Sequence, residues 1–438
     1  MRAHSNNDND IIINKNWHCG LVMPTKFSKE HSTFTIVGAG EFGLSLAYHM
    51  LQSGYKHVTV IDRTEPPVPD GSSVDISRIV RADYSDPTYA KMVVQALTYW
   101  KTDFKECYHP VGLLCLTPNH EPKYVDDAFN VVTNLGLPVT SFENQEQAQK
   151  FFNLPADRLH DLAGYVSHDA GWAHAERAVA KLYRAAVALG LKFVRATVTG
   201  FEYAADRKSV TGLRLHDGNV ISSDVYVNAA GAWVDSLVDT GERMMATGQA
   251  VGFVQLTDAE YERYKDLPVY INFVTGFYCF PAHPESKIVK AARHGYGYTN
   301  YLSLSSSTHH GAAGTEHDHD RLSSQPPAVA YDKGPEIASR EYCRTRICWY
   351  NDTATKDFLF DYKPDVDNLF FATGGSGHGF KFLPIIGKYA LGCLERTLST
   401  ELLDKFSWRT NVEWHEDLSR GGSPMMPLPN VQGSANGI

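Results

Sequence analysis

Gly38, Gly40 and Gly43 are spaced as G-x-G-x-x-G, and Asp62 follows Gly38 by twenty-four residues. This set has the chemistry of a dinucleotide site. The first glycine permits a tight turn, the second lets the backbone approach a pyrophosphate, and the third lets a helix pack closely on a sheet. The N–H groups and positive dipole end of that helix then face the phosphates. Asp62 can accept hydrogen bonds from both ribose hydroxyls and disfavours a 2′-phosphate, although Arg63 beside it tempers the exclusion of NADP. NAD and FAD both remain. A second glycine-rich turn, Gly374-Gly375-Ser376-Gly377-His378-Gly379, lies far downstream. Such a turn can bring backbone amides against a flavin ring or ribityl chain. NAD enzymes rarely need a distant turn to complete the same site, so FAD is the expected cofactor.

The elements that must position these groups are legible locally. TFTIV (33–37) reads as a short β-branched strand, LSLAYHMLQSG as a helix with a glycine stop, and HVTVI as a strand ending at Asp62. Residues 172–190 form an alanine-rich amphipathic helix pattern; strands follow at 192–198, 209–215 and 224–233. NLFFATGGSGHGFKFLPIIGKYALGCLERTL is a strand, a glycine turn and a helix. Residues 303–330 are polar and histidine-rich and read as a surface insertion.

Composition bounds the function. The 438 residues are 43% hydrophobic and 21% charged, which supplies a large core and excludes a chain disordered throughout. Lys+Arg 41 against Asp+Glu 50 gives a net charge of −9, so the surface as a whole does not attract nucleic-acid phosphates or acidic lipid. No apolar run is long enough to span a membrane, and the N-terminal residues lack a secretory core. The seven cysteines (Cys19, Cys107, Cys115, Cys279, Cys343, Cys348 and Cys393) are odd in number and contain no CxxC pair. A disulfide framework is therefore not expected, and a reducing, intracellular compartment fits. His309, His310, His317 and His319 lack ligand spacing, so a solvated loop rather than a metal site is expected.

Five motifs occur in one order across about residues 32–395: the GAGxxG start, SRIVRADYSD (77–86), GWAHAERAVAKL (171–182), VNAAGAW (227–233) and GSGHGFKF (375–382). The set resembles the monomeric sarcosine oxidase family of flavoproteins, which includes pipecolate, saccharopine and fructosyl-amino-acid oxidases (amadoriases). The SRIVRADYSDP wording looks most like fungal amino-acid and amine oxidases.

The resemblance implies roles. Cys348, in CWYNDTATKDFLFD, matches the cysteine that family members join to the flavin 8α-methyl carbon; Cys343 is the other nearby candidate. Arg81 and Lys381 match the pair that holds a substrate carboxylate, a contact suited to a guanidinium and an ammonium. Arg78 matches a flavin-contacting arginine. Lys290 matches the lysine that promotes oxygen reduction, where a preorganised cation stabilises developing superoxide. His294, Tyr278 and Tyr350 fall where relatives line the substrate pocket, and His378 belongs to the glycine turn. SSVDIS before Arg78 lacks a histidine expected of sarcosine oxidases, which leaves the substrate side chain open.

The expected fold is α/β, with a doubly wound, Rossmann-like FAD-binding domain discontinuous in sequence (32–112, 164–242 and 344–412). A second, sheet-containing substrate domain takes 113–163 and 243–343, between a flexible leader (1–31) and a C-terminal tail (413–438). The expected reaction is oxidation of a C–N bond in a secondary or N-substituted amino acid, with oxygen as acceptor and hydrogen peroxide as product. Small amines or amino acids and oxygen are the expected partners, with no nucleic acid and no membrane. A cytoplasmic monomer is expected; peroxisomes are possible by family, but no C-terminal targeting signal is present. Two rivals stay open: an amine dehydrogenase or biosynthetic flavoenzyme using another acceptor, and a catalytically idle FAD-binding protein.

Overall fold

The computed structural model describes residues 27–117, 123–144, 146–147, 163–303, 322–324, 342–409, 413–414, 419–421 and 425–427. The apolar, β-branched runs read from the sequence become one six-stranded sheet. Its strands lie in the order Lys192–Arg195, His57–Asp62, Thr33–Val37, Val225–Asn228, Leu369–Thr373 and Leu359–Tyr362. The first five are parallel and the last closes the sheet antiparallel. Parallel strands are covered on both faces, which is why Val225–Asn228 and Leu369–Thr373 are buried at every residue.

Helix Glu41–Gln52 packs against helices Ala175–Ala188 and Ile386–Leu394 on one face, and Phe34, Leu44, Val227 and Ile386 join their core. A three-stranded antiparallel sheet, Val198–Tyr203, Val210–Leu215 and Val220–Ile221, supplies Phe201 and Leu213 to a second core that holds Tyr226 and Phe371. The strands of the six-stranded sheet thus come from three separated stretches of chain.

A ten-stranded sheet forms the other half. Its long strand Met244–Gln255 is flanked by Ile288–Arg293 on one side and Arg344–Thr353 on the other, both antiparallel. Two segments grouped by sequence with the dinucleotide-binding part, Gly164–Ser167 and Arg344–Thr353, pair into this sheet instead. Strand pairing is made by backbone groups common to all residues, so an extended segment does not announce its partner. The pairing sets Lys290 opposite Phe253 and Cys348 opposite Gln249, on either side of one strand.

Residues 1–26 of the expected leader, and the four histidines of the 303–330 insertion, lie outside the described residues. Of that insertion, Leu322–Ser324 pairs antiparallel with Tyr301–Ser303. Among the described residues, no helix is long and apolar enough to cross a membrane.

Candidate active site

A cavity of about 410 Å³ is lined by residues of both sheets. At one end stand Gly38, Gly40, Asp62 and Arg63; elsewhere in the wall are Arg78, Arg81, Lys290, Cys348 and Lys381. Tyr278, His294, Tyr350, Gly375, Gly377, His378 and Gly379 also line it. Two sequence-predicted residues, Gly43 and Gly374, are not part of the lining. Gly43 works behind it: a Cβ there would overlap the Gly38 carbonyl oxygen, so only glycine lets the helix sit this close to the strand. Gly374 has φ +79°, and a side chain there would press on Thr353.

Asp62 ends its strand and accepts from Ala39 N and Arg63 N, both at 2.7 Å. Burial raises its pKa, against those two hydrogen bonds and the Arg63 charge. Arg63 lies over the Trp233 ring at 4.6 Å and pairs with Asp70 at 2.9 Å. Helix Glu41–Gln52 has Gly40 as its N-cap, which offers no side chain, and Ser73 Oγ, from outside the helix, accepts from Glu41 N at 2.9 Å. A Cβ on Gly40 would come within 3.0 Å of that Ser73 oxygen. This bare backbone cradle, with a carboxylate beyond it, fits the pyrophosphate and ribose of FAD.

In another part of the wall, Arg81 is buried and its Nη1 has no hydrogen-bond partner among the described residues. Its guanidinium lies over the Tyr84 and Phe273 rings at 5.2 and 5.5 Å. Lys381, equally buried, donates to Tyr84 Oη and to the His378 carbonyl, each at 2.8 Å. Burial, and then the Arg81 charge, hold its pKa well below the ordinary lysine range. His378 contacts Tyr84 Oη through Nδ1 (3.0 Å) and the Lys356 carbonyl through Nε2 (2.9 Å), and stacks on Phe358. Burial, reinforced by Lys381, pushes the pKa of His378 down. Its role in the fold is to brace the turn.

Lys290 is 1% exposed, and its Nζ lies 4.8 Å from the Phe280 ring centroid. Burial and Arg78 lower its pKa from 10.5 to about 7. Arg78 Nη2 donates to Ser72 O at 2.8 Å and to Cys348 Sγ at 3.3 Å. Cys348 is buried in the cavity wall, whereas Cys343 is exposed, donates to Phe253 O at 3.3 Å, and lies outside the lining.

Three residues not singled out by sequence belong to this neighbourhood. Asp75 pairs with Lys290 Nζ at 2.7 Å and with Arg78 Nη1; its signal, a lone acid in SSVDIS, has meaning only once residue 290 is brought beside it. Glu41 lines the cavity, with its pKa raised to about 7 by burial, against Arg78 and Lys381. Arg420 comes from the segment read as a tail, yet it is buried and holds Asp352 through two bonds of 2.8 and 2.5 Å. It also donates to Ser376 O at 2.9 Å and lies 5.6 Å from the Tyr350 ring. Next to it, Gly421 N donates to His294 O at 3.1 Å.

The chain belongs to the FAD dependent oxidoreductase family (DAO), which matches residues 33–391. It is 29% identical over 408 residues to the L-saccharopine oxidase of Schizosaccharomyces pombe, covering 86% of this chain and 93% of that protein. Amino acid oxidase fsqB of Aspergillus fumigatus is 28% identical, over 83% of this chain and 92% of its own. Among solved structures, the fructosamine oxidase of Aspergillus fumigatus (Amadoriase II) superposes with a TM-score of 0.77 at 26% identity, covering 93% of this chain and 97% of that one. The protein is an FAD-dependent oxidoreductase of the amine and amino-acid oxidase type.

Proposed function

We propose that this enzyme oxidises the C–N bond of a small secondary or N-substituted amino acid, using oxygen and releasing hydrogen peroxide. The substrate loses two electrons and two protons to become an imine, and oxygen gains the same to become peroxide. FAD, when bound, supplies the two-electron acceptor between them.

The observation that carries the reading is the pair of unspent donors in the cavity wall. Arg81 Nη1 is buried without a partner among the described residues, and Lys381, when protonated, has a third N–H beyond those it gives to Tyr84 and His378. A buried donor left unmade costs about 1–3 kcal/mol, so a carboxylate is the natural ligand for this pair. Lys381 and Arg81 would fix the carboxylate, and His294, Tyr278 and Tyr350 would shape the space for the side chain. Asp62 and the first glycine turn would hold the adenosine and pyrophosphate ends of the cofactor. Cys348, the cavity-lining cysteine beside Arg78, would carry the covalent bond to the flavin. Lys290 would stabilise the negative charge that develops on oxygen. A cytoplasmic, monomeric enzyme is part of the same proposal, the compartment resting on the odd, scattered cysteines.

A panel of N-methyl, cyclic and N-glycated amino acids, assayed for flavin bleaching and peroxide release, tests the proposal. Bleaching by one class and not by the matching amines without a carboxylate is the expected result. No bleaching by any member would sink it.

A further inference from the structure

We propose that Asp75 is the positioning residue for Lys290: its carboxylate fixes the ammonium in the cavity wall, keeps it charged, and ties it to the Arg78 guanidinium. This rests on the oxygen-side role proposed above for Lys290.

The geometry is specific. Asp75 Oδ2 lies 2.7 Å from Lys290 Nζ and also accepts from Arg78 Nη1. The other oxygen, Oδ1, accepts from Ile76 N at 2.8 Å, which keeps the carboxylate from turning away. The second acceptor for Lys290 is the Ser77 carbonyl at 2.6 Å. Both of the acceptors that aim the ammonium therefore come from residues 75–77, more than two hundred positions upstream. The Asp75 side chain is 0% exposed.

Charge explains why a carboxylate is required there. Lys290 sits on strand Ile288–Arg293, and the described groups acting on it are Arg78, Asp75 and Cys348. Tyr278 acts on Arg78, and Arg346, whose Nη1 donates to Val74 O at 2.8 Å, acts on Asp75. Arg78 opposes a charge on Lys290, while Asp75 and Cys348 favour it. A Cys348 sulfur committed to a thioether carries no charge, which leaves Asp75 to offset the arginines. Burial alone would raise the pKa of Asp75, yet Lys290, Arg78 and Arg346 together hold it below the ordinary carboxylate range. The carboxylate is thus ionised wherever the enzyme works.

Asp75→Asn keeps the volume and removes the charge. In stopped-flow reoxidation of the reduced holoenzyme, the wild-type rate should fall as pH rises through the midpoint at which Lys290 gives up its proton, which burial and Arg78 place below the ordinary lysine range. In Asp75→Asn the fall should move to lower pH by roughly 1–3 pH units, a loss of about 5- to 500-fold at the wild-type midpoint that shrinks on acidification. Asp75→Glu, which retains the charge, should keep its midpoint near that of the wild type. A uniform loss at every pH with an unmoved midpoint, or a Glu variant shifted as far as the Asn variant, would overturn the proposal. A second readout needs no turnover: the absorbance of the oxidised holoenzyme, titrated with pH, should show a transition missing in Lys290→Met and moved to lower pH in Asp75→Asn. If Lys290→Met reoxidises normally, the oxygen role of Lys290 fails. A moved absorbance midpoint would still uphold the coupling of Asp75 to Lys290, and an unmoved one would end it.

Discussion

The Lys381 ammonium donates to the Tyr84 hydroxyl at 2.8 Å across 297 positions of sequence. Tyr84 is itself stacked on Tyr89 and hydrogen-bonded to His378. The lysine is therefore held rigidly beside Arg81 instead of reaching for solvent. Rigid, desolvated cations of this kind bind an anion without first having to be ordered, which is the advantage of a preorganised site.

If the two cations share a carboxylate, Arg81→Ala should weaken binding of small carboxylate ligands by about ten- to a hundredfold, the worth of a charged hydrogen bond at roughly 1.5–3 kcal/mol. Uncharged ligands of the same shape should lose much less. Flavin-spectrum titrations with a carboxylic acid and its isosteric amide measure the contrast. Equal losses would mean general damage to the pocket and would remove the amino-acid reading.

The flavin should stay with the polypeptide after acid precipitation, and Cys348→Ala should release it into the supernatant. Cys343→Ala should not, because Cys343 lies outside the cavity lining. A yellow supernatant from the unaltered protein would defeat the covalent bond while leaving FAD binding intact.

Replacing Lys290 by Met should slow reoxidation of the reduced flavin by roughly 10²–10³, the usual loss for a removed oxyanion-stabilising donor. Reduction by substrate should change far less. Stopped-flow rates measured for the two half-reactions separate them, and oxygen reactivity within a few-fold of the wild type would retire the role.

The Arg420–Asp352 pair makes a stability prediction. Both side chains are buried, and Thr247 donates to Asp352 at 2.7 Å. Arg420→Ala leaves that carboxylate without its cation and should cost about 3–5 kcal/mol, read as a lower midpoint in urea unfolding. Burial would raise the pKa of Asp352, but Arg420 and its hydrogen bonds lower it from 3.8 to about 2. A depressed acid contributes stability that is present above 3.8 and lost as pH falls through about 2. Without Arg420, burial raises Asp352 in the variant, so the difference between variant and wild type should narrow as pH falls from above 3.8 and level off near 2. A constant difference down to pH 2 would contradict this assignment.

Several of these features could be read before any coordinates. Gly38, Gly40, Gly43 and Asp62 are legible because their chemistry is local: one turn, one helix start and one strand end lie within twenty-five consecutive residues. Arg81, Lys381 and Cys348 were recognisable because each sits in a motif whose neighbours carry the identification. Sequence also bounded the charge, the core and the cofactor class. It could not disclose that Asp75 meets Lys290, or that Arg420 crosses from the C-terminal segment to Asp352. Buried ion pairs are chosen by position in space, and a lone acid or arginine looks the same in sequence whether it is solvated or paired. Nor could it assign Arg344–Thr353 to the larger sheet. Backbone hydrogen bonds are indifferent to side-chain identity, so only the packed fold decides which strand lies beside which, and with that, which charges share the cavity.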